Sequence, residues 1–326
     1  MQFSKFIVSY KYLDHSFSKN QILWALNHLK KIGNKYKIKI LFNKTFKDSK
    51  KNSIFLFNSE KRLKKNFDIK VNLPKNNEGF AIIPYNNTIL IYAKDYRGFI
   101  YAITEIVDII KFSKNNKLII KKNIIEKPST KIRSISKCFE SVDEDKDWFY
   151  NKKSWDEYLT LLISERFNRF TLTLGMQYNY PYGNEFIKDV YLYLAYPFLV
   201  TPKGYKIKLS NFKKKEQKNN LDMLKYIAKE SHKRGLEFQL AIWTQRYDFE
   251  DVPNANFQVL NYPKGINYAK YCRDSLSLIL KECPEITGVT LRVHVECGIP
   301  EKSYSFWKTY FQAIKKCGRS INLDLH

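Results

Sequence analysis

Arg292, His294 and Glu296 occupy alternate positions in a segment reading Thr-Gly-Val-Thr-Leu-Arg-Val-His-Val-Glu-Cys-Gly. A period of two is the signature of a strand whose side chains point to opposite faces. It sets Val289, Leu291, Val293 and Val295 on one face and Thr290, Arg292, His294 and Glu296 on the other. Charged groups facing inward are rare unless they are paired or used. A carboxyl among apolar walls is raised toward the protonated form and can act as a general acid, here with Arg292 and His294 to oppose and orient it. Cleavage of a glycosidic bond needs a second carboxyl group across the bond. Asp324, on the inward set Asn322, Asp324 and His326, is the candidate, although it could equally be a structural hydrogen-bonding residue. The competing reading of Glu296 is a structural ion pair with Arg292.

The elements that would position these groups form a repeating pattern. Lys131 to Ser136 and Arg169 to Leu174 read as strands, as do Glu237 to Trp243, the Glu296 segment and Ile321 to Leu325. Helical stretches lie between them. Ser154 with Glu157 forms a capping box, Asn220 opens a helix that Gly235 closes, and Tyr268 to Cys283 and Ser303 to Lys316 are the remaining two. Strands joined by helices pair in parallel, so the expected fold class is α/β. Residues 124–326 form a (β/α) TIM-type barrel, incomplete at five βα units, and a small α+β domain over residues 1–123 precedes it. In a barrel the strand ends gather at one mouth. That mouth would collect Lys137 and Glu140, then Gln177 and Tyr178, then Trp243, Gln245 and Arg246 as substrate-binding residues beside the catalytic set of Arg292, His294, Glu296 and Asp324.

The segment from Met176 to Asn219 is long for a loop and rich in tyrosine, with Tyr178, Tyr180, Tyr182, Tyr191, Tyr193 and Tyr196. Aromatic faces with polar rims suit sugar rings. The same residues would serve a small subdomain that buries its own tyrosines. In the first domain, Ser18 with Gln21 opens a helix ended by Gly33, and Lys37 to Phe42 and Ser53 to Phe57 are half-buried strands. Phe80 to Pro84 and Thr88 to Tyr92 form a hairpin around Asn86-Asn87. Asp95 caps a helix with a Phe99, Ile103, Ile106, Val107 and Ile110 stripe.

The chain of 326 residues carries 57 Lys plus Arg against 32 Asp plus Glu, a formal net charge of +25. The excess is mostly Lys scattered through Lys/Asn/Ile-rich segments, with no arginine-bearing nucleic-acid module, so nucleic acid is not an expected partner. Five cysteines without a CxxC or paired His spacing support neither a disulfide framework nor a zinc site, and no motif implies a cofactor. The longest apolar run, Val190 to Val200, is far short of the about 20 residues that a membrane helix needs, and the N-terminus has no signal-peptide core. A cytoplasmic protein without a membrane partner is the expectation.

One stretch carries a resemblance. Thr88 to Ile103, with Asp95, Arg97 and Gly98, resembles the Asp-x-Arg-Gly strand-to-helix signature of the domain that precedes the barrel in β-hexosaminidases and α-glucuronidases. The Pro-containing junction from Glu126 to Ser136 resembles the passage to their barrel. The resemblance implies a glycoside hydrolase whose general acid ends the fourth barrel strand, the place of Glu296. Val295 stands where family 20 hexosaminidases carry the Asp that steers an acetamido group, so α-glucuronidases are the better fit. The expected substrate is carbohydrate, with an exo-acting enzyme on uronic-acid-bearing glycans as the finer reading. The alternatives are a non-catalytic carbohydrate-binding or scaffold protein, or the N-terminal part of a hydrolase.

Overall fold

The computed structural model describes residues 5–13, 19–43, 52–113, 117–140, 142–175, 190–245 and 256–326. Gln177, Tyr178 and Arg246 lie outside the described residues, as does Ser18. The chain divides into two compact units. One comprises Met1–Arg133 with Thr160–Asn168 and Lys233–Gly235, and the other takes the rest.

The first unit opens with β1 (Lys5–Ser9), α1 (Lys19–Lys35), β2 (Lys39–Asn43), β3 (Ser53–Phe57) and α2 (Glu60–Asn66). It continues with β4 (Phe80–Tyr85), β5 (Thr88–Ala93), α3 (Tyr96–Lys111) and β6 (Ile124–Glu126). The strands form one six-stranded mixed sheet in the order β2-β1-β3-β5-β4-β6, parallel from β2 to β5 and antiparallel across β4 and β6. The sheet is larger than the sequence pattern implied, because β1 and the three-residue β6 are short. Alternation sorts its residues. Phe55, Phe57, Leu90 and Tyr92 pack on one side with Leu63 and Phe67, while β5 as a whole is buried beneath the Phe99, Ile103 and Ile106 stripe of α3.

The Asp-x-Arg-Gly stretch is a structural device of this unit. The Asp95 side chain accepts from the Gly98 amide at 2.8 Å, capping α3, and from the Glu78 amide at 2.8 Å. Arg97 donates to the Glu78 carboxylate at 2.8 Å and to the Gly235 carbonyl at 2.7 Å. A Cβ on Gly98 would stand 2.6 Å from the Gly79 carbonyl oxygen and 2.8 Å from the Ala93 Cβ. Gly98→Ala is therefore expected to destabilise the protein by about 1–3 kcal/mol through overpacking against backbone. Urea unfolding with an unchanged midpoint would contradict that account.

The second unit carries β7 (Ser134–Phe139), α4 (Val142–Tyr150), α5 (Lys152–Ser164, its end from Thr160 counted with the first unit), β8 (Arg169–Leu174), α6 (Ala195–Leu199), β9 (Lys208–Leu209) and α7 (Lys214–Lys233, its last residue counted with the first unit). After these come β10 (Glu237–Ile242), β11 (Val259–Leu260), α8 (Ile266–Glu282), β12 (Ile286–Leu291), α9 (Tyr304–Tyr310), α10 (Gln312–Lys315) and β13 (Asn322–Leu325). Five strands pair in parallel in the order β13-β12-β10-β8-β7, an open sheet whose edges do not meet. The class is thus α/β with a parallel sheet, as the strand–helix rhythm predicts, and the barrel is not closed among the described residues.

Register places Ser136, Thr171, Gln239 and Thr290 on one face of this sheet. Phe170, Leu172, Leu240, Ile242, Val289 and Leu291 lie on the other and are wholly buried. Trp155 and Tyr158 of α5 meet the Phe170 ring with centroids 5.7 and 5.8 Å apart, so α5 covers the apolar face.

Several helix boundaries differ from the sequence pattern. Helix α5 begins at Lys152 with Asn151 as its cap, whose side chain accepts from the Ser154 amide at 3.0 Å. Asn220 lies within α7, fully buried, where its amide donates to the Tyr191 hydroxyl at 3.0 Å and the Phe198 carbonyl at 3.1 Å. Its polar side chain serves a buried network and not a helix start. Val190 to Val200 is buried throughout; Tyr191 and Phe198 pack with Phe212 and Phe257, and Tyr196 meets Tyr271 and Tyr310 edge-on. The tyrosines of the described part of the aromatic loop are thus buried against other elements of this unit as well as against one another.

Candidate functional site

Strands that run parallel release their chains on the same edge, and here backbone bonds tie those exits together. Trp243 N donates to the Leu174 carbonyl at 3.0 Å, and the Thr244 hydroxyl to the Gly175 carbonyl at 2.8 Å. Gly175 has φ +78°, and a Cβ there would stand 2.5 Å from the Tyr193 carbonyl oxygen, so this exit requires glycine on both counts. Gln245 N donates to the Cys297 carbonyl at 2.8 Å, and the Tyr268 hydroxyl donates to the Gln245 carbonyl. The last exit pair is closed by His326 N to Leu291 O at 3.0 Å and Val293 N to His326 O at 2.9 Å. The rim of β8, β10, β12 and β13 is thereby fixed by main chain, which sequence pattern does not reveal.

On this rim the structure assembles Trp243, Gln245, Arg292, Glu296 and His326. The Arg292 guanidinium lies over the Trp243 ring, 5.4 Å from its centroid, and the His326 ring lies 4.6 Å from the same indole. Arg292 also pairs with the Glu296 carboxylate. Gln245 is wholly buried, and neither its amide oxygen nor its amide nitrogen has a hydrogen-bond partner among the described residues. The Trp243 Nε1 and the Arg292 Nε are likewise buried and unpartnered among them. Each such group gives up about 1–3 kcal/mol of hydrogen bonding. Buried polar atoms are satisfied almost everywhere in proteins, and four of the unpartnered ones among the described residues belong to these three rim residues.

The expectation for the Glu296 segment needs correction. The strand ends at Leu291, and Val295–Cys297 is a turn of 3-10 helix, with the His294 ring Nδ1 accepting from the Glu296 amide at 3.5 Å. Gly298, at φ +86°, ends the turn. The alternation past Leu291 is therefore a coincidence of residue types: Val295 is exposed and Glu296 is not walled by apolar groups. The Glu296 side chain is 44% exposed while Arg292 is 11% exposed, so the carboxylate stands outward over a buried guanidinium.

The remaining candidates are distributed elsewhere. Asp324 lies within the polar face of the sheet, accepting from the Gln239 amide at 2.7 Å and pairing with Arg169 at 3.3 Å, while Arg169 also pairs with Glu237 at 3.1 Å. Lys137 is in register with Leu172, on the apolar face, and its ammonium lies 4.0 Å from the Trp148 ring centroid. Glu140 is exposed, and its amide donates to the Asp145 carboxylate at 2.5 Å. Sequence reasoning did not single out Tyr268 or the Cys297 carbonyl. Position on an element could have pointed to Tyr268, in the first turn of α8, but nothing in residue type marks a carbonyl.

The solved structures whose fold this chain resembles include several glycoside hydrolases. A GH138 enzyme targeting pectin rhamnogalacturonan II superposes with a TM-score of 0.65 at 19% identity, over 96% of this chain and 33% of that one. The GH20 β-N-acetylhexosaminidase from Streptomyces coelicolor A3(2) gives 0.57 at 13% identity, over 99% of this chain and 63% of that one. A Streptomyces plicatus β-hexosaminidase in complex with product GlcNAc gives 0.57 at 12%, over 98% and 61%. The chain thus spans from a third to just under two thirds of these neighbours. No family model matches the chain, and no curated protein sequence matches it.

Proposed function

We propose that the rim of the parallel sheet binds a glycan and that the protein acts as a glycoside hydrolase, with Glu296 as the carboxyl group that reaches the scissile bond. The observation that carries the reading is the set of unpartnered buried polar atoms on Gln245, Trp243 and Arg292 beside an exposed carboxylate. Sugar hydroxyls both donate and accept, and so suit an amide with both of its atoms free.

The Arg292–Glu296 pair further favours a substrate bearing a carboxylate. A guanidinium binds carboxylates in fork geometry, and a uronate placed on Arg292 would exchange for Glu296 and release that side chain toward the leaving oxygen. The second reading is a non-catalytic glycan-binding protein. It is favoured by Asp324, the candidate second carboxyl, being held by Arg169 and Gln239.

Hydrolysis of aryl glucuronides and galacturonides, against neutral aryl glycosides, separates the two readings. The parent protein is expected to turn over a uronide, and Arg292→Met to lose about 10-fold or more of the preference for uronide over neutral sugar. Saturable binding of uronates without turnover would leave the binding protein, and neither binding nor turnover would end the proposal.

A further inference from the structure

In the first unit a hollow opens where α3 ends, and it joins exposed apolar side chains to lysines. Its volume is about 540 Å³, on the scale of small-ligand sites, and Phe112, Ile119 and Ile120 are among the residues that line it. Phe112, the residue that caps α3, is 84% exposed, and Ile119 is 42% exposed. Lys117, Lys121 and Lys122 stand around these apolar groups, and no carboxylate lines the hollow among the described residues. The nearby Lys111 differs, since its ammonium is occupied by Asp108 at 3.0 Å.

An exposed phenyl group amid ammonium groups that pair with no carboxylate among the described residues is costly as plain surface: scattered apolar residues are ordinary, but here they line one hollow together with charges of one sign. The patch calls for a partner that is apolar in its depth and anionic at its face. We propose that this surface docks on an anionic phospholipid membrane, with the Phe112 and Ile119 side chains entering the interface and Lys117, Lys121 and Lys122 meeting the headgroup phosphates and carboxylates. Aromatic and aliphatic tips sink to the headgroup boundary while lysines remain at the charged surface. The formal net charge of +25 adds long-range attraction to such a surface. No helix among the described residues is long and apolar enough to cross a membrane.

Co-sedimentation of the full chain with vesicles tests this. The protein is expected to sediment with vesicles of mixed phosphatidylcholine and phosphatidylserine and to remain in solution with phosphatidylcholine alone. Phe112→Ser, which changes no charge at an exposed position, is expected to weaken binding about tenfold or more. The joint replacement of Lys117, Lys121 and Lys122 by Gln is expected to weaken it by about a hundredfold, each lysine near an anionic surface supplying about fivefold. The same change at the exposed Lys213, Lys214 and Lys215, at the start of α7, is the control for general charge. Equal losses in the two triple variants with none in Phe112→Ser would reduce the binding to overall charge and overturn the proposal. Failure to sediment with the mixed vesicles would also overturn it, and retention on immobilised polyglutamate in that case would assign the patch to an acidic polypeptide instead.

Discussion

Glu78→Ala is expected to lower the unfolding free energy by about 3–5 kcal/mol, because it removes the single carboxylate shared by two largely buried guanidinium groups. Arg97 donates to it at 2.8 Å, Arg133 pairs with its other oxygen, and the Asn168 amide reaches both oxygens at 3.1 and 3.2 Å. The Glu78 side chain is 10% exposed. Burial by itself pushes this carboxyl up, but the hydrogen bonds from Arg133 and Arg97, the Arg97 charge and Asn168 outweigh it and hold it below the ordinary value. A depressed folded value means that the contribution is complete above the unfolded carboxyl's ordinary value of 4.5 and is lost as pH falls through the lower folded one. Urea titrations at a series of pH values should therefore show Glu78→Gln and the parent far apart at neutrality and converging in acid. A difference that stayed constant down to strongly acidic pH would remove the ion cluster as its cause.

The Glu78 cluster also marks how far the sequence could be read. Asp95, Arg97 and Gly98 are legible as a cap and a turn because local residue types dictate them, but the partner carboxylate lies 19 residues earlier at a φ of +63° that no propensity suggests. Arg133 and Asn168 are more distant still in the chain. Short-range patterning finds elements, and long-range ion clusters are set by the fold.

The same limit governs the rim. Alternation located β8, β10 and β12, since each buries an aliphatic face whose period is two, and the parallel pairing followed from the helices between them. Beyond Leu291 the alternation continued while the pairing stopped. Thr290, still in register with Ala241 and Asp324, obeys the pattern, whereas His294 and Glu296 belong to a turn that Gly298 ends. A glycine two residues after the last candidate was the available signal for a turn, and valines at every second position masked it. Trp243 and Gln245 were accessible to sequence reasoning because they directly follow a strand. That Arg292 lies over the indole, and that Lys137 turns toward Trp148, depends on rotamer and register, which residue type leaves open.

Glu296→Gln is expected to lower turnover of a uronide substrate by about 10²–10⁴-fold, the range over which a positioned proton donor contributes. Its stability should change little, since the Arg292 pair is half exposed on the carboxylate side and such pairs contribute about 1 kcal/mol or less. Glutamine keeps the shape and can still accept a hydrogen bond from Arg292, so the loss would report the missing ionisable group and not a displaced turn. Trp243→Ala provides the contrast: it removes the surface that carries Arg292 and the His326 ring and should weaken substrate binding while the carboxyl group remains. For Asp324→Asn the opposite balance is expected, with melting temperature reduced through the Arg169 and Gln239 contacts and the rate affected less than by Glu296→Gln. A Glu296→Gln protein as active as the parent, with saturable uronate binding intact, would strip the carboxyl of its role and move the chemistry to another group. A rate that collapsed in Asp324→Asn without loss of stability would instead make the polar face of the sheet, and not its rim, the place where the second carboxyl acts.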